Sequence, residues 1–266
     1  MTLWGGNVPP ATMNAHYAPV NGLEMYYELH GAPGEDPPLV LLHGGLLTIE
    51  TAFGAILPAL AERRQVIAIE LQGHGHTADI DRDISLDYLA GDVVALLGQL
   101  GIDKADFFGF SLGGLVNLTL AIRHPDVVNK MVVASAGYRQ DGYHEDVRAP
   151  GRPESHRMPT QSAFQAMADA YARVAPDPGH FPEILAKTSA AVAAFEGWSP
   201  EELRAIGAPT LILVGDTDFI RLEHAIEMFE LIPNAQLAVL PGTTHMQVMS
   251  DADRLLSLVR PFLDGG

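Results

Sequence analysis

The chain has 266 residues, 47% of them hydrophobic, with no cysteine and a formal charge of −17 from 16 basic and 33 acidic side chains. That composition fits one large globular core carrying an insertion, and the lack of cysteine excludes disulfides, thiolate metal sites and a cysteine nucleophile. The acidic field disfavours nucleic acid and anionic membrane surfaces as partners. No apolar run approaches the ~20 residues of a membrane-spanning helix. Residues 1–16 lack the basic start and apolar stretch of a secretory signal, so they read as a loose arm on a cytoplasmic protein.

In chain order, residues 16–31 place Asn21-Gly22 between two alternating runs, which predicts a β-hairpin. Residues 38–42 are a short apolar run that stops at His43-Gly44-Gly45, as a buried strand stops at a loop. A helical pattern over 51–63 and a buried-type strand over 66–71 follow. Residues 85–100 read as a helix with Ser85 as its N-cap. A strand over 105–110 leads into a helix over 112–124, ended near Pro125, and then a strand over 127–134.

This alternation predicts a mostly parallel sheet covered on both faces. It breaks over 137–205, where loop residues precede helical stretches around 161–174 and 182–195. After Pro209 it resumes: a strand over 210–214, a helix over 222–231, a strand over 236–240 and a last helix over 251–263. The expected organisation is an α/β core from 1–136 and 206–266, with a helical cap inserted at 137–205.

The stretch Gly109-Phe110-Ser111-Leu112-Gly113 fits G-x-S-x-G between a predicted strand and a predicted helix. Glycines two residues before and after Ser111 leave room for a sharp turn that thrusts its Oγ outward. A serine hydroxyl needs a base to act as a nucleophile. Of the 11 histidines, His245 follows the last predicted strand, so it can meet Ser111 over the C-terminal edge of a parallel sheet. His124 reads as a helix-end cap, and His16, His144, His156, His180 and His224 as loop or surface positions.

The base needs an acid to fix its tautomer. Asp216 and Asp218 both follow the 210–214 strand. Asp218 is preferred, because Asp216 lies close enough to the strand to bond loop amides. The 127–134 strand ends in ASAGY, with no acid before Asp141. For the oxyanion, the Leu112 N–H at a helix start is one donor, and the loop after residues 38–42 offers Gly45 as the second, with Leu46 as its alternative.

Taken together, HGG at 43–45, GFSLGG at 109–114, GDTD at 215–218 and GTTH at 242–245 resemble the α/β-hydrolase superfamily, in its order of nucleophile, acid, histidine. The loop ELQGHGHT at 70–77 is similar too, with Glu70 where the family more often has aspartate. The resemblance covers nearly the whole chain. It implies an α/β-hydrolase fold, a variable helical lid between the sheet segments and a carboxylesterase- or lactonase-type activity without a cofactor. It leaves open a carbon–carbon bond hydrolase, an acyltransferase, a perhydrolase or a receptor-like binder on the same triad. Such an enzyme takes a small-molecule ester or lactone as substrate and is expected as a monomer or homodimer. If neutral His245 is the base, activity should rise with pH through roughly 6–7.5.

Three further patterns invite other readings. Gly73-His74-Gly75-His76-Thr77-Ala78 fits a dinucleotide loop, but the acidic DIDRD that follows would repel a pyrophosphate. His74 and His76 alone make a thin metal site without a third ligand. Arg139, Arg148, Arg152 and Arg157 could hold a substrate carboxylate, yet Asp141, Glu145, Asp146 and Glu154 balance them as a solvated face would. The cap supplies an apolar inventory of which Tyr138, Met158 and Trp198, with Leu46 from the core, are the expected substrate contacts.

Overall fold

A computed structural model describes residues 14–148 and 155–265. Most of the N-terminal arm, together with Arg152 and Glu154, lies outside the described residues, as does the side chain of Arg148.

Asn14–Val20 (β1) and Leu23–His30 (β2) form the expected hairpin. Asn21 and Gly22 both take positive φ, as a primed turn requires. Leu39–Leu42 (β3) is followed by two short helices, Ile49–Phe53 (α1) and Leu57–Ala61 (α2), where one continuous helix was expected. The break has a local cause: α1 closes at Gly54, and α2 restarts with Pro58 in its first turn. Val66–Ile69 (β4), Leu86–Gln99 (α3), Ala105–Phe110 (β5), Leu112–Arg123 (α4) and Val128–Ala134 (β6) complete the first half. Ser85 caps α3 by accepting from the Tyr88 amide.

Between β6 and the next strand lie Glu145–Arg148 (α5), Gln161–Val174 (α6), Phe181–Ala194 (α7) and Pro200–Arg204 (α8). Thr210–Thr217 (β7), Leu222–Leu231 (α9), Ala235–Thr244 (β8) and Ala252–Leu263 (α10) finish the chain.

Among the described residues the sheet has eight strands in the order β1-β2-β4-β3-β5-β6-β7-β8. Only β1 with β2 and β2 with β4 pair antiparallel; the rest pair parallel. The inner strands alternate faces with period two. Val40, Leu42, Ile67, Ile69 and Phe107 enter one apolar cluster. Leu39, Leu41, Val66, Ala68 and Phe108 enter the other. Burial on both faces is why these strands read as unbroken apolar runs.

The segment between β6 and β7 is tied to the core by charge as well as packing. Lys187 on α7 donates to Asp79 Oδ2 at 2.7 Å and to the carbonyls of Ile80 and Arg82. His180 reaches the same carboxylate oxygen at 3.0 Å. Burial alone would raise the Asp79 carboxyl, but hydrogen bonds from Lys187, Gln72 and His180 hold it below its ordinary value.

Candidate active site

Strand register delivers the functional side chains to one edge. Leu42 of β3 pairs with Gly109 of β5, so the loop carrying Gly45 opens beside the turn carrying Ser111. Phe110 pairs with Ala134, and Ala134 with Leu213, so β5, β6 and β7 run in step towards that edge. Both β7 and β8 run further than their apolar runs suggested, because pairing continues through polar residues to Thr217 opposite Thr244. In a parallel pair the next residues also lie side by side, and these are Asp218 and His245.

Ser111 sits at φ 52°, ψ −111°, between β5 and α4. Such a conformation in a residue other than glycine costs of order 1–3 kcal/mol and persists only where its surroundings enforce it. The flanking glycines are a steric requirement. A Cβ on Gly109 would lie 2.1 Å from Gly113 O, and one on Gly113 would lie 2.0 Å from Leu42 O. The turn is held by Ser111 N–H donating to Ala134 O at 2.8 Å and Gly113 N–H to His43 O at 3.1 Å.

His245 Nε2 lies 3.0 Å from Ser111 Oγ, and Nδ1 lies 2.7 Å from Asp218 Oδ1. Because a carboxylate can only accept, Nδ1 carries the ring proton and Nε2 is left as the acceptor facing the serine. Asp218 is fully buried. Its Oδ2 accepts from Ser135 Oγ at 2.6 Å and from the Gly215 amide at 3.2 Å, while Oδ1 also accepts from the Phe219 amide at 2.6 Å. Burial would raise this carboxyl, but the charge and hydrogen bond of His245, with the bonds from Ser135 and Gly215, hold it below its ordinary value. Asp216 instead accepts from the Gly242 and Thr243 amides at 2.9 and 3.0 Å, bracing the turn before His245.

Facing Ser111 across the cavity is the loop after β3, where Gly45 was the expected oxyanion donor. Leu47 N–H donates to Gly44 O, closing a turn in which Leu46 takes φ 65°. Behind it, His43 is wholly buried, with Nδ1 donating to Gly44 O at 2.8 Å and Nε2 accepting from the Leu71 amide at 3.1 Å. Burial and the neighbouring His74 lower the His43 imidazole to about 3, so it is a neutral brace. Leu112 is the first residue of α4, so its N–H has no intrahelical acceptor and sits at the positive end of the helix. Gly45, Leu46, Leu112, Ser111 and His245 all line one cavity of about 750 Å³.

The other expected substrate contacts divide. Met158 lines this cavity with Leu46. Tyr138 and Trp198 are not on its lining, which corrects both assignments. Tyr138 is fully buried and stacks on His224, with ring centroids 4.4 Å apart. Trp198 packs on Phe195 and borders a separate cleft beside Ile84 and Arg123. His224, expected at a loop or surface position, is 1% exposed on the inward face of α9, where its Nε2 accepts from the Tyr138 amide at 3.0 Å. Arg139 pairs with Asp141 and Glu227. Arg157 reaches back to the core and donates to the Asp218 carbonyl oxygen at 2.9 Å.

The histidine-rich loop after β4 also has a structural role. Glu70 accepts from the His76 amide and Nδ1 at 2.6 and 2.9 Å and from the Ile49 amide at 3.2 Å. A side chain at position 75 would collide with this carboxylate, 2.2 Å from its Oε2, which accounts for the glycine there.

Sequence reasoning missed three contributors to this geometry. Ser135 lies in the ASAGY weighed above only for an acid, and its signal is a hydroxyl at the end of the strand next to β5. Phe219, adjacent to Asp218, lies face to face with His245, with centroids 3.8 Å apart and 7° between planes. Arg157, weighed above as a carboxylate holder or part of a solvated face, is the third through its bond to the Asp218 carbonyl oxygen.

The family model described as Alpha/beta hydrolase family matches residues 39–258. A protein named putative carbamate hydrolase RutD, from Stutzerimonas stutzeri (strain A1501), is 29% identical over 86% of this chain and 92% of its own. A 2-hydroxymuconate semialdehyde hydrolase from Pseudomonas sp. (strain CF600) is 29% identical over 85% of this chain and 86% of its own. Among solved structures, the enol-lactonase from Burkholderia xenovorans LB400 superposes with a TM-score of 0.73 at 25% identity, covering 93% of this chain and 99% of that one. No helix among the described residues is long and apolar enough to cross a membrane.

Proposed function

The chain belongs to the alpha/beta hydrolase family, and from that premise we propose that it is a serine hydrolase that cleaves a carboxylic ester or lactone through an acyl-enzyme. The observation that carries this reading is the continuous relay from Asp218 through His245 to Ser111, at 2.7 and 3.0 Å, opening on a largely apolar cavity.

In the proposed reaction Ser111 Oγ attacks the carbonyl carbon as its proton passes to His245 Nε2. The Gly45 and Leu112 amides hold the resulting oxyanion. Collapse breaks the bond to the leaving oxygen, which takes the proton from His245. A water then gives a proton to His245 and its hydroxyl to the acyl carbon. The acid departs as Ser111 recovers its proton. Asp218 stays ionised throughout and stabilises the imidazolium. The helical segment between β6 and β7 acts as a lid, lending Met158, Phe164 and Thr188 to the cavity wall. The scheme requires no cofactor, nucleic acid or membrane.

A panel of nitrophenyl esters of rising chain length, several lactones and an aryl carbamate tests this on wild type and Ser111→Ala. Ser111→Ala should lose at least about 10³-fold in kcat while keeping the fold. Retained activity in that variant would remove Ser111 from its role. Turnover of the carbamate in preference to every ester would move the activity towards the relative named as a putative carbamate hydrolase.

A further inference from the structure

Phe219 and His245 meet in a geometry that the relay alone does not need. The phenyl ring lies parallel to the imidazole at contact distance, and Phe110 touches the same imidazole at 5.1 Å between centroids. The Phe219 amide donates to Asp218 Oδ1, the oxygen that also receives His245 Nδ1–H. One carboxylate oxygen therefore gathers both the ring and its cover. Phe219 also lines the substrate cavity, and its side chain is only partly buried.

We propose that Phe219 is a positioning residue for the base: its stacked ring fixes the imidazole plane that aims Nε2 at Ser111 and stabilises the imidazolium formed during catalysis. This inference rests on the hydrolase reading above. The contacts to Asp218 and Ser111 fix two edge points of the imidazole and leave its plane free to swing about the line joining them. A parallel ring against its face removes the swing. When Ser111 gives its proton to Nε2, positive charge appears over the negative face of the phenyl ring, a favourable cation–π contact in a setting poor in water.

The titratable and charged groups around the imidazole are Asp218 at Nδ1 and Ser111 at Nε2, with Ser135 bonded to the far oxygen of Asp218. Arg157 sits on the Asp218 carbonyl, and the Tyr143 phenol lies in the cavity wall. None of these is altered by a change at position 219.

The test compares Phe219→Leu with Phe219→Tyr in the full chain. Leucine keeps an apolar cover and removes the π face; tyrosine keeps the face. Phe219→Leu should lose roughly threefold to tenfold in kcat on two unrelated substrates with Tm little changed. Its acid limb of kcat/KM should move to lower pH by ~0.5 unit, because the protonated base has lost a stabilising contact. Phe219→Tyr should restore both. If Phe219→Leu fails to fold, Phe219→Met, which also lacks the face, takes its place.

The same ~0.5 unit displacement should appear in an NMR titration of the His245 ring in the resting protein, where no substrate is needed. An unmoved titration with wild-type kcat would overturn the proposal, and so would a defect confined to KM, which would leave Phe219 as cavity wall only. A wild type that turns over none of the panel would sink the hydrolase reading alone, since the NMR titration still decides the role of Phe219.

Discussion

Two buried histidines in this molecule look alike until their partners are compared. His245 stacks on Phe219 at 3.8 Å and 7°, and His224 stacks on Tyr138 at 4.4 Å and 9°. At His245 the protonated Nδ1 meets the Asp218 carboxylate at 2.7 Å, and Nε2 is free to face a hydroxyl. At His224 the tautomer is the same, but the partners differ. Nε2 is occupied by the Tyr138 amide, and the nearest carboxylate, Glu227, stands 3.6 Å from Nδ1, beyond a good hydrogen bond. Burial then dominates and lowers His224 to about 4, with only partial compensation from Glu227. Aromatic cover is common to both rings; of the two, a bonded carboxylate on one nitrogen and a lone pair facing a hydroxyl on the other belong to His245.

The comparison breaks most sharply at Asp218→Asn. The amide can accept at Nδ1 but cannot stabilise an imidazolium, and it can turn its NH₂ towards the ring and invert the tautomer. The expected loss is roughly 10⁴-fold in kcat with the fold intact. A loss below tenfold, measured by steady-state kinetics on the best ester of the panel, would mean that the carboxylate is not what distinguishes the two histidines.

A second difference lies in stability rather than rate. The folded-state value of His224 is below the ordinary one, so its neutral form is the folded form. Above pH 6.5 both folded and unfolded chains hold it neutral, and the full stability is present. As pH falls from 6.5 to about 4 the unfolded chain takes up a proton that the folded chain refuses, and stability is lost. His224 alone should contribute on the order of 3 kcal/mol across that window, and His43 adds a loss of the same sign. His224→Gln keeps an acceptor for the Tyr138 amide but cannot titrate. Urea unfolding at pH 7.5 and pH 4.5 should therefore show a smaller acid loss in the variant than in wild type. Equal losses would mean that His224 is not held neutral.

How far these features could be read beforehand depended on what each residue's neighbours reveal. Asn21-Gly22, the inner apolar runs and the ordered motifs around Ser111, Asp218 and His245 act locally, and local chemistry is visible in sequence. The ends of β7 and β8 were not, because hydrophobicity stops at Val214 and Leu240 while backbone pairing continues to Thr217 and Thr244. Tyr138 and Trp198 have the composition of pocket residues but spend it on packing with His224 and Phe195. His224 carried a usable signal, since Ala225 and Met228 mark the same buried stripe of α9. Arg157 touches Asp218 from 61 residues away, a contact that only the folded chain creates.

The smallest expected effect concerns how Asp218 itself is held. Ser135 takes φ 55°, a second strained serine at the end of the strand beside that of Ser111. Its amide donates to Leu213 O at 2.8 Å, and its hydroxyl donates to Asp218 Oδ2 at 2.6 Å. Without the hydroxyl, Oδ2 keeps only the longer bond from the Gly215 amide, and a buried carboxylate with one donor fewer holds its imidazole less firmly. Hydrogen bonds to charged groups are worth about 1.5–3 kcal/mol, only part of which bears on orientation, so kcat should fall about tenfold with KM unchanged. Strain and hydrogen bonding separate in a pair of variants. Ser135→Gly and Ser135→Ala both delete the hydroxyl, but glycine adopts positive φ without cost, so it should be the more stable by roughly 1 kcal/mol while sharing the same defect in rate. If the two differ in rate as much as in stability, the backbone turn and not the hydroxyl would be what steadies the acid.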